Sequence, residues 1–169
     1  MKLSYVLTVI ADDKPGLVEI LSTVVKEHQG NWLGSRMASL AGKFAGIVHI
    51  EVATDQAALL EKSLAELSGQ GIDIRIEPGK EAAQQTRIMT LSLVGNDRPG
   101  IVRELAHAMS ELDINVLELI TNCASAEMTA QPLFRAEATL EVPMQLDQDD
   151  ISSAVESLGN EFMVDLQIS

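Results

Sequence analysis

Two copies of one short stretch organise this chain: IADDKPGLV at residues 10–18 and VGNDRPGIV at residues 94–102, 84 positions later. Each copy follows an alternating apolar run and opens an amphipathic helical pattern, which predicts a strand-to-helix turn. Proline suits the first turn of a helix, and the aspartate before it is expected to cap the free N–H groups there. The glycine is expected to bare the backbone at the positive end of the helix, where a small carboxylate can bind.

The repeat extends well beyond this turn. Residues 5–36 align with residues 89–120 without gaps, and nine of the aligned positions are identical. Most of these are apolar or turn positions, which packing and turn geometry explain. Asp13/Asp97 and Asn31/Asn115, however, are polar pairs at the two ends of the repeated helix. Packing does not account for their repetition, so they are candidate functional residues.

Hydrophobic periodicity predicts the same order of elements in both halves: strand, helix, strand, strand, helix, strand. This order is the split βαβ, or ferredoxin-like, pattern of an α+β protein, with an antiparallel sheet and two helices on one of its faces. Residues 1–78 are predicted to form the first βαββαβ domain and residues 87–169 the second. Residues 79–86 lack large apolar side chains and are predicted to be a linker. The second copy differs by a longer loop at residues 125–132.

Composition limits the partners of this protein. The net charge is −13, from 25 acidic and 12 basic residues, and no run of Lys and Arg occurs. Phosphate binding depends on clustered basic residues, so we expect no direct contact with nucleic acid. No apolar run approaches the length that spans a membrane, which favours a cytoplasmic protein. The single cysteine, Cys123, lies in an apolar run and is predicted to be a small buried residue.

Sequence motifs of enzymes are absent. The chain has no Gly-rich phosphate loop with its lysine, no Gly-x-Ser-x-Gly elbow and no His-Glu-x-x-His helix. Its three histidines are far apart in the sequence, with nothing to bring metal ligands together. We therefore expect a non-enzymatic protein with no catalytic residue, no cofactor and no metal.

The turn sequences DKPGL at residues 13–17 and DRPGI at residues 97–101 resemble the turn of ACT domains. ACT domains are small modules that bind amino acids and regulate enzymes or transcription. The resemblance covers both halves of the chain. It implies that a ligand binds between paired modules, where the helix-start turn of one module meets the start of the second strand of its neighbour. The fold agrees, because Asn31 is expected at the far end of its domain from Asp13.

The resemblance also implies a role for each polar residue of the turn. Carboxylates and a neighbouring amide would hold the ammonium group of the ligand, backbone N–H groups at the glycines would take its carboxylate, and the asparagines that open the second strand could bond either end. The residues so implicated are Asp12, Asp13, Gly16 and Asn31 in the first copy and Asn96, Asp97, Gly100 and Asn115 in the second.

Two functions remain open at this stage. In one, the protein senses a small amino acid, with glycine first and serine or alanine behind it, and acts through a protein partner such as a transcriptional activator. In the other, it is a detached regulatory subunit or an interaction module for an amino-acid metabolic enzyme. The modules are expected to pair into a wider sheet, within the chain or in a homodimer. The second copy is the favoured site, because Val116 leaves more room than Trp32.

Overall fold

The computed structural model describes residues 1–80, 86–125, 132–158 and 163–168. The chain divides into two compact units, Met1–Ala82 and Ala83–Ser169. Most of the predicted linker and most of the loop at 125–132 lie outside the described residues. The domain boundaries at residues 78 and 87 therefore stay predictions.

The first unit contains the six predicted elements and one short helical turn. In chain order they are β1 (Lys2–Asp12), α1 (Leu17–Glu27), β2 (Asn31–Leu40), β3 (Lys43–Ala53), α2 (Thr54–Glu66) with a 3₁₀ turn (Leu67–Gln70), and β4 (Ile72–Pro78). The hairpin between β2 and β3 turns through Ala41 and Gly42, both with positive φ (50° and 80°). Positive φ at both central residues is the geometry of a type I′ turn, which two-residue hairpins favour.

The second unit repeats this order. Its elements are β5 (Thr86–Asn96), α3 (Ile101–Glu111), β6 (Asn115–Ser125), β7 (Pro132–Pro143), α4 (Gln148–Glu156) and β8 (Met163–Ile168). The sheet orders are β2-β3-β1-β4 in the first unit and β6-β7-β5-β8 in the second, and every neighbouring pair is antiparallel. The predicted α+β class and the tandem ferredoxin-like βαββαβ fold are confirmed.

Each unit has its own hydrophobic core on one face of its sheet. In β1, Leu7 and Val9 are buried, whereas Thr8 and Ile10 between them are exposed, which is the alternation of a strand covered on one side. Helix α1 buries Leu21 against this face. The helices thus leave the opposite face of each sheet uncovered, and we call this the open face.

Candidate amino-acid-binding turns

The repeated turn has the same backbone in both units. Helices α1 and α3 begin just after the turn, and their N-cap residues, Gly16 and Gly100, share a φ of 93°. A side chain at this φ would collide with the backbone, so only glycine adopts it without strain. Proline and glycine therefore precede the helix, and the prediction that they lie inside its first turn was wrong. The glycine is needed for the turn itself.

The aspartates do not cap these helices. Neither α1 nor α3 has a side-chain hydrogen bond at its N-cap, so the capping prediction for Asp13 and Asp97 was also wrong. The earliest helical bonds are Ile20 N–H to the Gly16 carbonyl at 2.9 Å and Glu104 N–H to the Gly100 carbonyl at 3.0 Å. Ahead of these, the Ile101 N–H donates to the Arg98 carbonyl at 3.5 Å. The other N–H groups of each first turn have no helical carbonyl one turn earlier to accept them. The N-cap residues Gly16 and Gly100 therefore provide no side-chain acceptor at the positive ends of the two helices.

In the first unit, the aspartates bond to the β2–β3 hairpin instead. Ser39 Oγ donates to Asp13 Oδ2 at 2.5 Å, and the Asp13 N–H donates to the Gly42 carbonyl at 3.0 Å. Asp12 forms an exposed ion pair with Lys43, and this hydrogen-bonded ammonium lowers the pKa of the Asp12 carboxyl. These bonds hold the turn against the hairpin. No atom lies within 4 Å of the position that a Cβ on Gly16 would take.

In the second unit, the basic residue of the turn forms an ion pair. Arg98 Nη1 and Nη2 donate to Glu104 Oε1 and Oε2 at 2.8 and 2.5 Å, and Nη2 also donates to the Leu158 carbonyl at 3.1 Å. The hydrogen bond from Arg98 lowers the pKa of Glu104. Glu104 Oε1 lies 3.8 Å from the Cβ position of Gly100. The aligned residue of the first unit is Ile20, so only the second turn carries this carboxylate.

Sequence reasoning missed the residues that lie beside the repeated aspartates. Ser39 donates to Asp13, and Cys123 lies 84 positions after Ser39. Partial exclusion of water from the sulfur and the nearby Asp97 carboxylate raise the pKa of the Cys123 thiol. Cys123 is exposed, so the prediction of a buried cysteine was wrong: β6 is an edge strand and leaves one flank of the residue open. Extending the ungapped alignment by three residues would have revealed the Ser39/Cys123 correspondence.

The asparagines lie at the opposite end of each sheet from the aspartates. In β3, Lys43 pairs with Asp12 and Glu51 pairs with Asn31. Eight residues of strand separate these ends, which is about 26 Å at 3.3 Å per residue. In the second unit, Asn115 Nδ2 donates to Glu141 Oε2 at 3.2 Å. The expected separation of Asn31 from Asp13 within one unit is therefore present.

Asn96 ends β5 and is half-buried, whereas Asp97 is exposed. The N–H of Asp97 donates to the Pro132 carbonyl at 2.9 Å, as Asp13 does to Gly42 in the first unit. Within the described parts of the chain, His, Cys, Asp and Glu residues form no group of three that could hold a metal ion. No helix among those residues is long and apolar enough to cross a membrane.

Comparison with known proteins agrees with this geometry. Residues 4–77 match the ACT domain family. The chain is 24% identical over 160 residues to the glycine cleavage system transcriptional repressor of Escherichia coli (strain K12), a match that covers 92% of this chain and 84% of that protein. The repressor of Shigella flexneri matches with the same figures.

Two crystal structures share the fold of the whole chain. A protein of unknown function from Galdieria sulphuraria superposes with a TM-score of 0.84 at 27% identity, over 100% of this chain and 99% of that one. A candidate glycine cleavage system transcriptional repressor superposes with a TM-score of 0.75 at 15% identity, over the same shares of the two chains. These structures therefore share the tandem βαββαβ fold of the whole chain.

Proposed function

We propose that this tandem ACT-domain protein is a non-enzymatic regulator that binds a small amino acid, with glycine favoured, and represses transcription through a protein partner. The observation that carries the proposal is the repeated turn: in both units a glycine with φ 93° opens a helix that has no side-chain cap, and an aspartate lies three residues before that glycine. The similarity to the glycine cleavage system repressors supports the choice of function, because it covers 92% of this chain.

The chemistry of the turn fits the two ends of an amino acid. Unpaired N–H groups at a helix N-terminus favour a carboxylate. The Asp13 or Asp97 carboxylate offers an acceptor for the ammonium group a few ångströms away. Hydrogen bonds to charged groups contribute about 1.5–3 kcal/mol each. Glycine and other small amino acids suit a site formed by backbone groups, because such a site has no pocket for a large side chain.

In this proposal, a paired module completes each site. Asn31 and Asn115 start the edge strands β2 and β6, so they can reach only the turn of a neighbouring module. Exposed apolar residues accompany these edges: Val18 (46%) and Leu33 (44%) in the first unit, and Val102 (41%) and Val116 (37%) in the second. Burying them would favour such pairing. Trp32 is half-buried against the core of its unit, and its indole is the larger obstacle to a ligand at Asn31.

The regulatory effect is proposed to pass through a protein rather than through DNA. The net charge of −13 opposes binding to a polyanion. A gel-shift or anisotropy titration of the purified protein with duplex DNA should show no sub-micromolar binding at moderate salt. Sub-micromolar binding would contradict a mechanism that relies on a partner.

The ligand proposal is tested by a thermal-shift screen against the twenty amino acids, followed by calorimetry with glycine. Substituting Asp97→Ala or Asp13→Ala should weaken binding by about tenfold, which is 1.4 kcal/mol. Asp165→Ala is the matched control, since Asp165 is an exposed aspartate on β8 that pairs with Ser92, four residues before Asn96, and should not alter binding. Undiminished binding in both turn variants would move the site elsewhere. An absence of heat with every amino acid would refute the sensing function.

A further inference from the structure

A cavity of about 280 Å³ opens at one corner of the first sheet, and we call it the corner recess. It is lined mainly by Ile10, Asp12, Lys43, Gly71 and Asp73. All five residues are exposed, so the recess is open to solvent. Of its charged residues, the sequence implicated only Asp12. The corner recess thus brings charges of both signs to one place in the first unit.

The register of the sheet explains why the recess is present. Lys43 pairs with Asp12 across β3 and β1. On the other side of β1, the pairing with β4 ends one residue earlier, at Ala11 and Ile72. The next residue of the chain on that side is Gly71, whose φ is 78° and whose Cβ position has no described atom within 4 Å beyond its chain neighbours. A gap therefore lies beside Asp12, where another residue would place a side chain.

The wall that contains Gly71 is held in place by two hydrogen bonds. The Gly71 N–H donates to the Ser68 carbonyl at 3.0 Å. Lys14 Nζ donates to the Gln70 carbonyl at 3.3 Å, which ties the turn after β1 to the chain just before Gly71. The recess is therefore framed by elements that are bonded to each other.

The charged groups of the recess have bonding capacity to spare. Lys43 and Asp12 form an ion pair, but an ammonium group has three donors and a carboxylate has several lone pairs, so each can bind a further group. Within the described part of the chain, the Asp73 carboxylate has no hydrogen bond or ion pair. Asp73 pairs with Ile10 and is thus a diagonal neighbour of Asp12 on the open face, at about 7–8 Å. Two carboxylates at this spacing can accept hydrogen bonds from one ammonium group placed between them.

The second unit does not repeat this set of charges. By strand register, the positions that match Asp12, Lys43 and Asp73 hold Asn96, Leu133 and Met163. One amide and two apolar side chains thus replace three charged ones, although the two sheets have the same strand order. The fold does not require the charges at this corner, so folding alone does not explain their presence in the first unit.

We propose that the corner recess is a second binding site, present in the first unit alone, for a small zwitterion of the α-amino-acid class. The ammonium group of the ligand donates to the Asp12 and Asp73 carboxylates, and its carboxylate accepts from Lys43 Nζ. Charge-assisted hydrogen bonds of this kind are about twice as strong as neutral ones. The site consists of side chains of one unit, so it needs no paired module and does not depend on ligand binding at the turns.

Titration of the isotope-labelled full chain with glycine, followed by amide NMR, separates this site from the turns. Glycine should shift the amide signals of Lys43 and residues 71–73, whereas binding at the turns would be seen at residues 13–17 and 97–101. The signals of the recess should still shift in Asp13→Ala/Asp97→Ala. Glycinamide lacks the carboxylate and N-acetylglycine lacks the ammonium group, so each should bind the recess at least about tenfold more weakly than glycine.

Variants with matched controls test the individual side chains. Asp73→Asn and Lys43→Gln each remove one charge and should weaken glycine binding in the recess by about tenfold. Glu77→Gln is the control for the first, since Glu77 is exposed on the same face of β4, four residues further along. Lys2→Gln is the control for the second, since Lys2 forms the exposed ion pair with Glu51 at the other end of β1. Both controls should bind glycine like the wild type.

Three results would overturn the proposal. The first is an absence of glycine-dependent shifts at Lys43 and residues 71–73. The second is an Asp73→Asn variant that binds glycine in the recess like the wild type. The third is equal binding of glycine and glycinamide at these signals. The turns are read from other signals, so each of these results leaves the proposed function to its own test.

Discussion

The two turns share one backbone and differ in what surrounds it. At the first, Ser39 donates to Asp13 and Lys14 Nζ donates to the Gln70 carbonyl at 3.3 Å. Among the described residues, no atom lies within 4 Å of the Cβ position of Gly16. At the second, Arg98 is held by Glu104, whose carboxylate lies close to Gly100. Proline and glycine give both turns the same backbone, whereas the charged side chains around the two turns differ.

This difference bears on which turn accepts a ligand. A carboxylate near a helix N-terminus is stabilised by the helix dipole, and Glu104 already supplies one beside α3. The first turn has isoleucine at that position; the acidic residue in the first turn of α1 is Glu19, and no carboxylate of the described residues lies within 4 Å of the Cβ position of Gly16. Space at the asparagine favours the second copy, since Val116 is smaller than Trp32, but the absence of a carboxylate beside the turn glycine favours the first. The variants below separate these effects, from the largest to the smallest.

Truncation of a shared core residue should affect the two units alike. Leu21 and Leu105 occupy the same position of the repeat and are 0% and 4% exposed. Leu21→Ala and Leu105→Ala should each lower the free energy of unfolding of their own unit by about 2–5 kcal/mol, through lost burial and a residual cavity. Urea denaturation followed by hydrogen exchange would measure this. A loss confined to one variant would show that the two cores are not equivalent.

Substitution of the turn glycines should also act equally on both units. Gly16→Ala and Gly100→Ala force an L-residue to φ 93°, which should cost about 1–2 kcal/mol of stability. Gly69→Ala is the matched control, because that glycine has open space around its Cβ position and no positive φ. Equal stability of Gly69→Ala and Gly16→Ala would argue that the turn tolerates side chains. Because of this strain, glycine variants are poor probes of ligand binding.

The repeat and its periodicity were enough to predict the fold. Alternation in β1 and the helical stripe of α1 place Leu7 and Leu21 in the core, where the structure has them. These features depend only on residues that are close in the sequence or that share one face of a single helix or strand. Such patterns can be recognised from the order of residues alone.

The side-chain partners at the turn could not be predicted in the same way. Whether Asp13 caps its helix or bonds Ser39 depends on how a hairpin 26 residues later is placed. The Arg98–Glu104 ion pair depends on Glu104, which aligns with Ile20 of the first unit. In the sequence, a glutamate at this position looks like any other residue on a helix surface. Long-range register and the orientation of long side chains decide these contacts. The repeat in the sequence identified the Asp and Asn positions, but it could not show which residues each of them contacts.

Exchange of the residue at this aligned position should shift ligand affinity between the turns. Glu104→Ile removes a carboxylate from the start of α3, and Ile20→Glu adds one to α1. Charges at a helix end are worth about 0.3–1 kcal/mol, so the first change should tighten binding at the second turn by about two- to fivefold and the second should weaken the first turn to the same extent.

Calorimetry on the two variants, each also carrying Asp→Ala at the other turn, would report each site separately. Opposite shifts of the dissociation constant are expected. Shifts of the same sign, or none, would contradict the idea that Glu104 competes with the carboxylate of a ligand.

The smallest expected effect concerns the Cys123 thiol beside Asp97. Partial exclusion of water from the sulfur and the nearby Asp97 carboxylate raise the pKa of Cys123, because both disfavour the thiolate. At a given pH less thiolate is present, so alkylation by iodoacetamide should be slower than for a free thiol, and its pH profile should lie at higher pH. Asp97→Asn should speed alkylation several-fold by removing the charge.

The double variant Ser39→Cys/Cys123→Ser moves the thiol to Asp13. Its alkylation should be slowed in the same way if the two turns share this contact. Fast alkylation in that variant alone would mean that the first turn does not hold a thiol as it holds the Ser39 hydroxyl.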